Sequence, residues 1–332
     1  MKILRITIIT IILFFLCALI SEFIFGKGIP FVFKEKKWSI GIYTGRTPFS
    51  LSSSGKANPV LTASDVTDVS ARFIADPFMV KENGKWYMFF EIMNNKTGQG
   101  DIGVAVSNDG FIWKYQQVVL DEPFHLSYPY VFKWGKDYYM IPETSQTYSV
   151  RLYKAVNFPV SWECTEILLS GEEYVDPSIV FFEDRWWLFA SLPNSDVLYL
   201  YYAYKLEGPW FRHPNSPIIK NNMDISRPGG RVIVFNDRVI RYAQDDSPTY
   251  ENEVNAFEVT EITTTSYRER KIENNPVLGG SGNGWNKIGM HQVDAHKLGK
   301  DKWIACVDGF GGFRLVYEGN SCVLKRIKAH FD

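Results

Sequence analysis

The chain has 332 residues, of which 45% are hydrophobic and 16% are aromatic, and its formal net charge is −1. This composition is ample for a large core, and in a repeat fold it predicts one domain rather than two. The near-neutral charge gives no indication of a nucleic-acid partner. The many Tyr, Trp and Phe residues favour strands over helices.

The N-terminus differs from the rest of the chain. Residues 1–5 are basic, and residues 6–20 form an apolar run without a charge. This pattern predicts a signal anchor or a signal peptide within residues 1–25. Because no small-residue cleavage site follows, we favour an uncleaved anchor through residues 6–25, with the protein membrane-anchored and extracytoplasmic, or secreted if the segment is cleaved. Residues 26–37 are expected to be a linker.

A hairpin pattern then recurs along the chain. Its first copy joins a short apolar strand at residues 75–80 to an aromatic-rich strand at residues 84–91. A residue followed by proline opens the first four copies, and a more divergent fifth copy covers residues 293–306. The prolines stand at positions 77, 129, 177 and 228, so the steps are 52, 48 and 51 residues. A strand-built period of this length predicts an all-β, five-bladed β-propeller over residues 38–332.

The ends of the chain suggest how the ring closes. Residues 38–49 resemble residues 101–111, which are the third-strand region of the first repeat. We therefore expect the N-terminal strands to complete the last blade, which removes the exposed edges of an open array. Residues 313–317 compete for the same place, so the strand order of that blade stays open. Pairing of Cys306 with Cys322 also stays open.

Inner strands of a propeller line the central channel, so their first residues gather at one mouth. Carboxylates and aromatics that converge in this way are the groups with which enzymes act on glycosidic bonds, using one acid and one base or nucleophile. The candidates at inner-strand starts are Asp76, Tyr128, Asp176, Arg227, Asp294 and His296. The candidates at second-strand ends are Glu91, Glu143, Gln244 and Asp245.

Each candidate also has an ordinary structural explanation. An Asp before Pro often caps a turn through its side chain. Arg227 and Arg231 either hold the acids ionised or bind a carboxylate or phosphate of the ligand. His291 and His296 are more readily explained as loop histidines than as metal ligands, and we predict no metal and no cofactor.

The Asp-Pro steps at Asp76 and Asp176 resemble those of family 43 glycoside hydrolases, which are five-bladed propellers. The resemblance implies that Asp76 is the general base and that Asp176 tunes the pKa of the acid and orients the substrate. In that family the general acid is a Glu that opens blade four, where this chain has Arg227. Glu143 or Glu91 is then the candidate acid.

A wider resemblance covers nearly all of residues 38–310. The runs at residues 75–78, 127–129, 141–144, 227–231 and 241–245 are similar to the N-terminal domain of plant glucosamine inositolphosphorylceramide transferases. In those enzymes the transferase fold is a separate C-terminal domain, so the resemblance implies the propeller and not the transferase activity.

These observations lead to a functional hypothesis with two alternatives. We expect the channel to bind, or act on, a glycan or glycoconjugate. The first alternative is a non-catalytic carbohydrate-binding module accessory to a glycosyltransferase system, and the second is a surface scaffold with an incidental pocket. The absence of the expected Glu at Arg227 favours binding over hydrolysis.

Overall fold

The computed structural model describes residues 10–17, 32–55 and 57–317. Residues 38–311 form one compact unit, and the described residues before and after them belong to a second. Residues 10–17 are helical. Within the described part of the chain, no helix is long and apolar enough to cross a membrane. The rest of the predicted anchor lies outside the described residues.

The described residues form five four-stranded sheets, which confirm the predicted five-bladed propeller. β1 (Val32–Thr47) and β2 (Ser50–Ser53) come first in the chain. Blades one to four each take the next four strands, which are β3 (Ala71–Glu82), β4 (Lys85–Asn94), β5 (Gly100–Ser107), β6 (Lys114–Leu120), β7 (Ser127–Trp134), β8 (Asp137–Glu143), β9 (Ser149–Asn157), β10 (Ser161–Ser170), β11 (Val175–Phe182), β12 (Arg185–Ser191), β13 (Leu198–Ala203), β14 (Phe211–Arg212), β15 (Ile233–Phe235), β16 (Arg238–Asp245), β17 (Glu253–Ile262) and β18 (Tyr267–Lys271). The loops contain 3-10 turns at Ala63–Asp65, Ser145–Thr147 and Gly284–Asn286.

Blade five closes the ring. It consists of β19 (Val293–Gly299) and β20 (Lys302–Tyr317), followed by β1 and β2, in the order β19-β20-β1-β2. The N-terminal strands therefore complete the last blade, as their likeness to the first repeat predicted. The competing tail, residues 313–317, is the end of β20. β1 begins at Val32, so residues 32–37 are strand rather than the linker expected there.

The core lies between neighbouring blades, and aromatic side chains meet at each junction. Large rings suit this position because each buries a wide apolar area and packs edge to face. The pairs, from the junction of blades one and two around to that of blades five and one, are Phe89–Trp162, Trp134–Trp186, Phe189–Tyr267, Phe235–Trp303 and His296–Trp86. Cys306 is a buried free thiol, and Cys322 lies outside the described residues.

The inner strands of blades one to three share one backbone feature. The ladder between the first two strands shifts at Asp76, Tyr128 and Asp176, each of which precedes a proline. These three residues have φ values of 53°, 46° and 49°, in the left-handed region that residues other than glycine seldom adopt. Such bulges redirect side chains, and left-handed residues outside glycine concentrate at functional sites.

Blade four departs from this pattern. Its inner strand, β15, is only Ile233–Phe235, and the segment before it bonds both to β16 and to blade five. Arg231 N donates to Val293 O at 3.1 Å, and Val293 N donates to Gly229 O at 3.0 Å. A Cβ on Gly230 would lie 1.8 Å from Val293 O, so only glycine allows this approach.

Candidate functional site at the channel mouth

Asp76 is at the centre of the mouth. Its Oδ1 lies 2.9 Å from His291 Nε2, and its Oδ2 accepts the backbone N–H of Tyr128 at 3.1 Å. Its own N–H donates to Asp308 Oδ2 at 3.0 Å. The left-handed backbone thus turns the Asp76 carboxylate towards blades two and five at once.

Asp76, His291 and Asp308 each offer an atom within 4.8 Å of the others, which is the spacing of a metal cluster. His291, however, faces Asp76 with Nε2 and Asp308 with Nδ1, at 2.9 and 3.0 Å. Both contacts are at ion-pair distance and favour an imidazolium, although Nδ1 makes no hydrogen bond of good geometry. A metal ligand would need one nitrogen free of its proton. We therefore assign the cluster as an ion-paired triad.

Glu91, at the end of β4, lies among other acids. Burial raises the pKa of Glu91 well above its usual value of 4.5, and the carboxylates of Asp76, Glu251 and Glu143 raise it further. The Nε2 of His125 lies 3.5 Å from Glu91 Oε1. Because His125 Nδ1 accepts the Gly100 N–H at 2.9 Å, a neutral His125 carries its proton on the nitrogen facing Glu91.

The side chain of Asp176 is held by blade four. Arg227 Nε donates to Asp176 Oδ2 at 2.5 Å, and Gln244 Nε2 donates to the same oxygen at 2.8 Å. Burial raises the pKa of Asp176, and the Arg227 guanidinium opposes that rise. Glu143 Oε2 accepts the Asp176 N–H at 3.2 Å, and Glu143 Oε1 accepts the Ser145 hydroxyl at 3.0 Å.

Tyr128 shares the backbone position of Asp76 and Asp176, but its side chain fills the channel below them. The residue is fully buried. Its hydroxyl accepts the Gly230 N–H at 2.7 Å and lies 2.8 Å from the Ser178 hydroxyl. These contacts make the side chain of Tyr128 part of the packing that supports the mouth.

A second charged cluster lies one layer deeper. Arg231 Nε donates to Asp294 Oδ1, and His296 Nε2 lies 2.9 Å from Asp294 Oδ2, which also accepts the Met79 N–H. Burial acts to raise the pKa of Asp294, but Arg231 and His296 bring it well below its usual value. The sequence placed Asp294 and His296 at the mouth. The fifth repeat lacks the proline bulge, and its ladder runs from Val293 without the shift that displaces Asp76, so these side chains stay below.

The structure also separates two other predicted residues. Gln244 joins the mouth through Asp176. Asp245, next in the chain, instead accepts the Ser247 N–H at 3.1 Å in the turn after β16.

Sequence reasoning missed Asp308, Glu251, His125 and Tyr250. Asp308 had a signal, because it follows Trp303 on the second strand of blade five at the spacing at which Glu91 follows Trp86 in blade one. The other three lie on loops outside the repeat. The Tyr250 ring lies 5.2 Å from the Arg227 guanidinium, and Glu251 Oε1 lies 3.8 Å from His291 Nε2.

The mouth therefore combines acids of two kinds. One oxygen of Asp76 pairs with His291, and the other accepts the backbone N–H of Tyr128. Glu91, by contrast, retains its proton well above the pH at which a solvated glutamate loses it. Acids whose environments separate their pKa values can serve as acceptor and proton donor to one ligand. Tyr250, which is 45% exposed, adds an aromatic surface beside them.

The chain is similar over most of its length to one protein family. Residues 33–310 match the model of the N-terminal region of glucosamine inositolphosphorylceramide transferase 1. The protein of that name from Oryza sativa subsp. japonica is 35% identical over 299 residues. The match covers 83% of this chain and 40% of the rice protein, so the chain spans less than half the length of that relative.

Solved structures share the fold at low sequence identity. An α-L-arabinofuranosidase from Podospora anserina superposes with a TM-score of 0.54 at 11% identity, covering 83% of this chain and 98% of that one. An exo-β-1,3-galactanase from Clostridium thermocellum gives a TM-score of 0.52 at 14% identity, covering 63% of this chain and 51% of that one. At these identities the likeness concerns the fold alone.

Proposed function

We propose, because the chain belongs to the family of the N-terminal region of glucosamine inositolphosphorylceramide transferase 1, that its propeller binds a glycan or glycoconjugate at the mouth of the channel. One observation carries this proposal. The acids Asp76, Glu143 and Asp176 come from three consecutive blades and meet at one end of the channel, beside the exposed ring of Tyr250. Carboxylates accept hydrogen bonds from sugar hydroxyls, and an aromatic face packs on a sugar ring.

A second candidate function is cleavage or transfer of a glycosyl group. The observation that favours it is the raised pKa of Glu91 beside Asp76, which supplies a proton donor and an acceptor in one site. Glu143 is less suited to the role of acid because both of its oxygens already accept hydrogen bonds. Under this candidate function Glu91 is the acid and Asp76 is the base or nucleophile.

The proposed location is extracytoplasmic, with residues 6–25 as a membrane anchor. Its support is the charge-free apolar run of residues 6–20 behind a basic N-terminus. Mass spectrometry of the protein purified from membranes tests this. An intact N-terminus is expected, and a mature N-terminus between residues 20 and 30 would show a cleaved signal peptide instead.

The experiment for the main proposal is a glycan array probed with the detergent-solubilised full chain, followed by titration calorimetry of each hit. We expect saturable binding to one class of glycan.

The same protein is incubated with a panel of aryl glycosides, and turnover that disappears in Glu91→Gln supports the second candidate function. The matched control is Glu183→Gln, which changes an exposed glutamate in a turn. A chain that binds no glycan and cleaves no glycoside contradicts both functions.

A further inference from the structure

Asp308 connects blade five to the mouth. It lies on β20, is fully buried, and accepts three backbone N–H groups. Its Oδ2 accepts that of Asp76 at 3.0 Å, and its Oδ1 accepts those of His291 at 3.2 Å and Gln292 at 3.0 Å. Asp308 therefore fixes both the left-handed backbone of Asp76 and the segment that carries His291.

His291 stands between Asp308 and Asp76. Its Nδ1 lies 3.0 Å from Asp308 Oδ1, and its Nε2 lies 2.9 Å from Asp76 Oδ1. The Trp38 ring packs on the imidazole with centroids 4.3 Å apart. The imidazole is thus held from three sides, by β20, by β3 and by β1, and its orientation follows from the position of Asp308.

The groups that face His291 determine its charge. Burial alone would lower the pKa of His291, but the carboxylates of Asp308, Glu251 and Asp76 raise it well above its usual value of 6.5. Glu91, on β4, is a further acid within electrostatic reach. These acids come from β20, from the loop before β17, from β3 and from β4, whereas β1 contributes the uncharged ring of Trp38.

We infer that Asp308 is a positioning residue of the mouth, which orients His291 and keeps it as the charged partner of Asp76 across the pH range in which an ordinary histidine loses its proton. Asp308 does not touch the ligand in this assignment. The effect of Asp308 on ligand affinity rests on the proposed function, whereas the effect of Asp308 on His291 does not.

The direct test is a proton NMR titration of the histidine ring signals in the full chain from pH 5.5 to 9. His291→Gln identifies the His291 signal among the five histidines. We expect the midpoint of the His291 titration to lie well above the usual value of about 6.5 in the unchanged protein. In Asp308→Asn the midpoint of its titration should fall by about 1–3 pH units, the usual effect of losing an adjacent opposite charge. Asp184→Asn, in an exposed turn, should leave it unchanged.

The titration of His291 in the unchanged protein tests the inference even if Asp308→Asn fails to fold. A His291 midpoint at or below about 6.5, the value of a solvated histidine, would overturn the inference. So would a folded Asp308→Asn variant with the original midpoint. Neither outcome depends on any glycan.

A second arm measures ligand affinity at pH 6 and pH 8, once the array has given a glycan. The unchanged protein should bind equally at both, and Asp308→Asn should bind at least about threefold more weakly at pH 8. Equal affinities in the variant at both pH values would contradict the positioning role. If no glycan binds the unchanged protein, the proposed function fails while the titration still tests the inference.

Discussion

Arg227 Nε donates to Asp176 Oδ2 at 2.5 Å, which places a cation from blade four against an acid of blade three. The guanidinium is largely buried and also lies 3.9 Å from Glu143 Oε2. Blade four therefore supplies a counter-charge to the acids of blades two and three. Under the proposed function, this arrangement favours ligand binding.

Replacing Asp176 with Asn should destabilise the propeller, because Arg227 would stay charged and buried with Glu143 as its remaining counter-charge. We expect the free energy of unfolding to fall by about 3 kcal/mol, as measured by urea denaturation. This outcome differs from the simple expectation that an isosteric amide spares the fold. Asp184→Asn, in an exposed turn, should change it by less than about 0.5 kcal/mol.

A double-mutant cycle separates the charge effect from other causes. Arg227→Met in the Asp176→Asn background should recover much of the lost stability, since no unpaired cation remains. If the effects of the two changes on the free energy of unfolding are simply additive, the ion pair between Asp176 and Arg227 does not explain the loss of stability.

Glu91 should make stability depend on pH. A carboxyl whose pKa is raised on folding binds more protons in the folded state, so the free energy of unfolding falls as pH rises above about 4.5. Glu91→Gln removes this cost and should stabilise the protein at pH 7 by at least about 1 kcal/mol, with the gain shrinking towards pH 4. Thermal and urea unfolding at pH 4, 5.5 and 7 measure this difference in stability between the variant and the unchanged protein.

The control for this prediction is Glu183→Gln, which changes an exposed glutamate. It should shift stability equally at all three pH values. A Glu91→Gln variant that is less stable than the unchanged protein at pH 7 would mean that Glu91 is ionised and paired in the folded state.

Removing residues 38–62 should abolish cooperative unfolding rather than shorten the domain. Blade five would lose most of β1 and all of β2, and the buried side chains of Ile40 and Ile42 would leave the core between blades five and one. The loop after β2 goes with them, because Ile40 N donates to Leu61 O at 2.9 Å. Calorimetry of the deletion variant tests this.

A peptide of residues 38–62 added to the deletion variant should restore a cooperative transition, because the edge of β20 offers unpaired backbone groups for it. If the variant melts like the unchanged protein without the peptide, the N-terminal strands are dispensable and the ring closes by other means.

The sequence predicted the ring because its repeat maps directly onto the blades. A proline with its preceding residue marked the bulge in Asp76 and Asp176, and the likeness of residues 38–49 to a third strand indicated the closure. Depth along the channel was harder to predict. The sequence equated Asp294 with Asp76, but Asp294 pairs with Cys306 as Phe78 pairs with Phe89, so it lies further along its strand than Asp76 does.

Contacts that depend on loops could not be read from the repeat at all. Glu251 and His125 reach the mouth from connections whose lengths follow no period. The position of His291 depends on Asp308, whose role becomes visible only when the first and last blades meet. The acids were thus predictable as a set, and their partners were not.

The central claim, that the channel mouth is the glycan site, is tested most directly by titration calorimetry of Asp76→Asn against the glycan found on the array. Asn tolerates the left-handed backbone, and His291 keeps Asp308 as its partner, so the fold should be retained and can be checked by circular dichroism. We predict binding at least about tenfold weaker than that of the unchanged protein, a loss of about 1.4 kcal/mol. An Asp76→Asn protein that is folded and binds the glycan as tightly as the unchanged chain, or as Asp184→Asn does, would contradict it.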